Sequence, residues 1–169
     1  MGREVRRVPA NWQHPKEQKP DWRTGRMVEC YKPLFPGERY QPAVDEWDEE
    51  CAKWKAGLRP DYCDDAESRA MCYEQYSGQR PHRDDYMPDW PESERTHLMM
   101  YEDTSEGTPI SPAFATPEEL ARWLTDNGAS AFGSSTGSYE GWLRVAQGRW
   151  APSAVFTPQT GLVSGVDAL

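Results

Sequence analysis

The chain has 169 residues, enough for one domain of ordinary size, and a formal net charge of −9. With 8 Trp, 8 Tyr and 4 Phe it is too rich in aromatics for a disordered polymer, while a mean hydropathy of −0.92 and 15 prolines announce a small core and much loop. No run approaches the ~18 apolar residues of a membrane span, and the basic start MGREVRRVPANWQHP has no apolar stretch behind it, so the expectation is a soluble protein of the cytoplasm with no secretory leader.

Residues 1–41 lack periodicity and carry five prolines, with a sixth at 42, and Trp12, Trp22, Tyr31, Phe35 and Tyr40 are scattered between them. This reads as an extended arm whose rings anchor it to the rest of the chain. Residues 42–57 predict a helix. Val44, Trp47, Cys51, Trp54 and Leu58 recur at spacings of 3 and 4 and define one apolar face. Asp45, Glu46, Asp48 and Glu49 sit toward its N-terminal end and Lys53 and Lys55 toward its C-terminal end, which suits the helix dipole. A second helix is expected over 61–76, and 79–95 reads as a charged, proline-rich loop. THLMMYED, 96–103, reads as a strand. After the loop SEGTPISPAFAT, Thr116, Pro117 and Glu119 have the spacing of a capping box, opening a helix with Leu120, Trp123 and Leu124 inside and Gly128 at its end. A short helix over 138–148 and a β-hairpin built from APSAVF and LVSGV follow. The expected class is α+β: a small antiparallel sheet made of one strand plus the C-terminal hairpin, about four helices and the N-terminal arm, all in a single domain. Its stretches are 1–41 (arm), 42–95 (acidic and helical) and 96–169 (α+β).

Charge is unevenly spread. Residues 1–26 carry seven basic and three acidic side chains, residues 27–106 nine and twenty, and residues 107–169 three and five. The acidic middle repels phosphate and suits a basic protein partner, or it serves solubility alone. The candidate partner-binding residues are Asp45, Glu46, Asp48, Glu49, Glu50, Asp64 and Asp65. Nucleic acid is expected only through the arm, where Arg3, Arg6 and Arg7 would carry the contact.

Catalytic signals are sparse. In SEGTPISPAFAT, Thr116 is a cap, Gly107 permits a positive φ, and the prolines hold their neighbours extended. Ser105, Glu106, Thr108 and Ser111 remain as a loop site. A serine nucleophile needs a base within reach, and nothing local ties His14, His82 or His97 to it. The four cysteines, Cys30, Cys51, Cys63 and Cys72, form no CxxC knuckle, and free thiols are expected in preference to a metal site from Cys63, Cys72 and His82. GSSTGS at 133–138 lacks the lysine of a P-loop and reads as a flexible connection. No cofactor, metal or catalytic residue is assigned.

GREVRRVPANWQHP, PLFPGERYQPAVDEW, YEDTSEGTPISPAFATPEELARWLTDNGAS and GRWAPSAVF together resemble a family of small, mostly uncharacterised proteins of bacteriophages and prophages. The SEGTPISPAFAT-to-helix element is the most specific part; residues 59–95 and the GSSTG insert match least. The resemblance implies a phage or prophage origin and a setting in the host cytoplasm, and brings no catalytic residues. The expectation it frames is a non-enzymatic accessory protein that binds a basic surface of a host protein, in the manner of an anti-CRISPR or anti-restriction inhibitor of a nucleic-acid-targeting defence complex. The alternatives are a small enzyme acting on a nucleotide or cofactor through the Ser105–Ser111 loop, and a nucleic-acid-associated protein that uses the basic arm.

Overall fold

The computed structural model describes residues 2–63, 65–103, 107–148, 150–158 and 161–168. The chain opens with β1 (Gly2–Val8), β2 (Lys16–Pro20) and β3 (Met27–Tyr31), then a 3₁₀ turn, α1 (Tyr40–Lys55), α2 (Ala66–Ala70) and α3 (Tyr73–Ser77). Next come β4 (His97–Glu102), β5 (Thr108–Pro109), α4 (Pro117–Asp126), β6 (Ser130–Phe132), β7 (Ser135–Thr136) and α5 (Tyr139–Gly148). The chain closes with β8 (Trp150–Pro152), β9 (Ala154–Thr157), β10 (Gly161–Ser164) and α6 (Gly165–Ala168). The class is α+β, as the element order predicts. Where the sequence suggested one domain, the chain forms two compact units: one runs to Leu34 and resumes at Trp90, and the other is Phe35–Asp89.

The first unit is built on an antiparallel sheet in the order β5-β4-β1-β8. This corrects two expectations. The residues taken for the start of an arm form β1, an inner strand. The C-terminal hairpin does form, with Val155 opposite Val163, but β9–β10 is a separate two-stranded sheet and does not extend the main one.

β1 is covered on both faces, which explains why its sequence does not look like a strand. Val5 lies opposite Met100 and packs into a core with Leu120, Leu124, Trp142, Val145 and Val166, supplied by α4, α5 and α6. On the other face Glu4 lies opposite Tyr101 and Arg6 opposite Met99. Residues there meet Trp12, His14 and Leu34 instead of solvent.

α4 begins as its sequence predicts. Glu119 N donates to Thr116 Oγ1 at 3.2 Å, and Thr116 N donates to Glu119 Oε2 at 3.3 Å. Leu120, Ala121 and Leu124 are then fully buried. The loop before it is pinned by Gly107, whose φ is +96° and whose hydrogen side faces Leu34 O and the Arg6 guanidinium. Only glycine fits so close an approach in that backbone region.

In the second unit, α1 turns Val44, Cys51 and Trp54 inward. The Trp54 ring stacks on Tyr76 with centroids 4.3 Å apart. Trp47, expected in the core, is only half-buried; its Nε1 donates to Gly78 O. The single helix expected over 61–76 is broken. Met71 is extended, with ψ at 145°, because its carbonyl accepts from Trp54 Nε1 at 3.0 Å instead of serving a helix. Cys72 N donates to Gln75 Oε1 and α3 starts afresh. This break and the final turn α6 raise the helices among the described residues to six, against about four expected.

Candidate functional site

The outer side of α1 gathers the acidic residues singled out in the sequence. With Val44, Cys51 and Trp54 inside, Asp45, Glu46, Asp48 and Glu49 are exposed and Glu50 is half-buried. Fourteen acidic and seven basic side chains fall within Phe35–Asp89, so this unit holds −7 of the chain's −9. The face is not uniformly open. Arg80 grips Asp48 with two hydrogen bonds, Nε to Oδ1 at 2.8 Å and Nη2 to Oδ2 at 2.7 Å. Lys53 Nζ lies 2.8 Å from Glu49 and 2.7 Å from Glu50. Hydrogen bonds from Arg80 and Lys53 hold the Asp48 and Glu49 carboxyls below their ordinary range. Asp45 and Glu46 form no ion pair among the described residues; Asp45 Oδ1 accepts only from Gln41 Nε2.

Asp65 proves to be a helix cap. Its Oδ1 accepts from Ser68 N at 2.7 Å and its Oδ2 from Ser68 Oγ at 2.6 Å, and these bonds lower its pKa. Asp64 lies outside the described residues.

The loop before α4 is structural where it is described. Ser111 is buried; its Oγ accepts from Met100 N at 2.9 Å and donates to Pro112 O at 2.8 Å. Its hydroxyl ties the loop to β4, and among the described residues no base is hydrogen-bonded to it. Thr108 is half-buried in β5. Ser105 and Glu106 lie outside the described residues. Among the described residues no three His, Cys, Asp or Glu side chains converge as a metal site would require. Cys51 and Cys63 are buried, Cys30 is half-buried and Cys72 is exposed, all as free thiols. Cys63 Sγ lies 2.9 Å from Tyr76 Oη, and this contact raises the tyrosine pKa.

The arginines proposed for nucleic acid are committed to the fold, which corrects that reading. Arg3 is 3% exposed; its Nε donates to Ser130 O and its Nη1 to Glu102 Oε1 at 3.0 Å. Arg6 is 8% exposed, with Cζ 4.4 Å from the Tyr101 ring centroid, Nη1 donating to Leu34 O and Nε to Glu4 Oε2. Arg7 pairs with Glu92. Beside Arg6 a chain of hydrogen bonds runs through the interior. Trp12 Nε1 donates to Tyr101 Oη, and Tyr101 Oη lies 3.2 Å from His14 Nδ1. His14 Nε2 lies 2.7 Å from Lys32 O, which can only accept, so Nε2 carries the proton and Nδ1 accepts from the tyrosine. Burial, followed by the Arg6 charge, lowers the His14 pKa against the opposing effect of the Lys32 carbonyl, and burial pushes Tyr101 up to about 12.

Two surfaces were missed. The first is a cavity of about 510 Å³ beside α4, lined by the apolar Phe114, Ala115 and Trp123 together with Glu119, Arg122 and Asp126. The second is the β2–β3 ribbon, a two-stranded sheet with Lys16 opposite Tyr31 and Pro20 opposite Met27. It lies within the supposed arm. The signal for it was the turn DWRTG: Asp21 Oδ1 accepts from Arg23 N, Thr24 N and Thr24 Oγ1, and Gly25 takes a φ of +67°.

Among the described residues no helix is long and apolar enough to cross a membrane. Compared with known proteins, the chain is matched by no family model, no curated protein and no solved structure.

Proposed function

We propose that this chain is a bacteriophage accessory protein that acts without catalysis, by laying the acidic outer face of α1 against a basic surface of a host protein. One observation carries the reading: −7 of the net charge is confined to Phe35–Asp89, a unit that exposes Asp45, Glu46 and Glu49 along one helix. Diffuse acidity for solubility does not require such segregation. Proteins that handle nucleic acid offer the matching surface, because a cleft that holds phosphate is lined with Lys and Arg. A CRISPR effector or a restriction nuclease is the class of target that fits. The uncommitted Asp45 and Glu46 steer the encounter. Asp48, Glu49 and Glu50 would exchange their own Arg80 and Lys53 for the partner's cations, so their contribution is smaller.

The test uses the tagged full chain on nuclease-treated host lysate, followed by the same measurement with the purified partner. A basic partner should be retained stoichiometrically and released as salt rises. The pair of reversals Asp45→Lys and Glu46→Lys should weaken binding at least tenfold, mainly through the association rate, whereas Glu118→Lys in the other unit should leave it unchanged. Equal binding by the Asp45→Lys/Glu46→Lys protein would rule the α1 face out.

A further inference from the structure

We propose that the tip of the β2–β3 ribbon binds single-stranded nucleic acid, with Arg23 and Arg26 on phosphates and the Trp22 ring stacked on a base. The ribbon is open: among the described residues neither strand pairs with a third, and nearly all of its residues are exposed. It nevertheless carries a large apolar load in solvent. Trp22 is 84% exposed, and Met27, Val28 and Tyr31 on β3 are exposed as well. Isolated exposed side chains need no explanation, but a tryptophan in the turn of an exposed ribbon, followed by a strand with exposed Met27, Val28 and Tyr31, marks a contact surface.

Local charge identifies the occupant. All three acidic side chains of the ribbon are already engaged: Glu29 by Lys16 at 2.6 Å, Glu17 by Lys19 at 2.7 Å, and Asp21 by the turn that it caps. Arg23 and Arg26 form no ion pair among the described residues. The uncommitted charge at the tip is therefore positive, on a chain that is acidic as a whole. The Arg23 guanidinium lies 4.7 Å from the Trp22 ring centroid. It lies over one face of the ring, which is still 84% exposed. Exposed rings that stack on bases, beside cationic side chains that hold the backbone, are how sequence-tolerant single-strand binders hold their ligand. An unpaired strand also supplies what a duplex does not, a free base face for the ring. This contact does not depend on the acidic face of α1, and it places the nucleic-acid function at Arg23 and Arg26, away from the buried Arg3 and Arg6.

Fluorescence anisotropy of a labelled oligothymidine strand, titrated with the full chain at about 50 mM salt, tests the proposal. Binding below about 100 µM is expected, with log K falling against log salt at a slope near −1.4 for two phosphates. Trp22→Ala should weaken it about tenfold and Trp22→Phe much less. Arg23→Glu with Arg26→Glu should abolish both the binding and the salt slope. These side chains face solvent, so the variants should melt with the parent. No binding up to about 100 µM overturns the proposal, as does unchanged binding by the two variants. Retention on anionic phosphatidylserine vesicles without oligonucleotide binding also overturns it, in favour of a lipid surface. A matching duplex bound as tightly as the single strand, and insensitive to Trp22→Ala, overturns the stacking contact.

Discussion

At the scale of single residues, the interior of the sheet unit is held by charged and polar groups in places where apolar ones are usual. Arg6 stacks on Tyr101 and satisfies both Glu4 and the Leu34 carbonyl. Arg6→Met keeps the bulk but leaves a half-buried carboxylate and a buried carbonyl without their donor. It should cost about 3 kcal/mol in urea unfolding. Gly107→Ala attacks the same place from the other side, since an added Cβ would meet Leu34 O at 2.0 Å and the guanidinium at 2.7 Å. It should destabilise by more than about 1 kcal/mol, and no smaller side chain exists to rescue it. His14 gives the site a pH signature. Its folded pKa lies below the ordinary 6.5, so the unfolded chain takes up the proton first as pH falls. Its contribution is complete above about pH 6.5 and is lost as pH drops toward the lowered folded value. The fall in thermal midpoint between neutral and mildly acid pH should be smaller in His14→Gln than in the parent. An equal fall would show that other groups set the dependence.

At the scale of elements, what could be read from the sequence follows the range of the interactions involved. α4 is specified locally, since its cap, its first proline and its buried Leu120 and Leu124 lie within ten residues, and the sequence shows all of it. Thr116→Ala should lower stability by about 1 kcal/mol and Thr116→Ser by much less, as measured by denaturant midpoints. α1 is nearly as plain: Val44, Cys51 and Trp54 of the expected apolar face are buried, but Trp47 is only half-buried and Leu58, past the helix end, is exposed. The break between α2 and α3 could not be read locally, because a distant indole, that of Trp54, takes the Met71 carbonyl. β1 was hidden twice over. Its partners lie near residues 97–102 and 150–152, and being covered on both faces it places Arg3 and Arg6 where a pattern reader expects solvent. The candidate contact sites divide the same way. The acidic face of α1 was visible as a run of acids. The cationic tip of the β2–β3 ribbon was only half visible: the count showed a basic arm, but which of its cations are tied up in the fold or by Glu17 and Glu29 is seen only once their partners are known.

At the scale of the whole molecule, the two units differ in what holds them. The sheet unit buries Met100, Tyr101, Leu120, Leu124, Trp142, Val145 and Val166 completely or nearly so. Phe35–Asp89 buries Val44, Cys51, Trp54, Cys63 and Met87, and must also hold a net −7 together. A unit of that size with so few buried apolar groups is marginal. Unfolding should therefore not be a single step. In a urea titration, Cys51 and Cys63 should become reactive to a thiol reagent before the near-ultraviolet signal of the buried Trp142 is lost. Coincident transitions would show that the units unfold together. Added salt should shift the thiol transition upward more than the tryptophan one, because it screens the acidic unit's self-repulsion.

The position of β1 also sets a timetable for the newborn chain. Val8 pairs with His97, and the whole acidic unit is encoded between them. On a ribosome adding about 5–20 residues per second, β1 leaves the tunnel roughly 5–20 s before its neighbour β4 does. The inserted unit, one unbroken stretch of chain, can finish first. The N-terminal strand, with an apolar side and two unfilled edges, meanwhile waits in solution. Its arginines keep that waiting segment soluble, and only on docking do they become part of the interior.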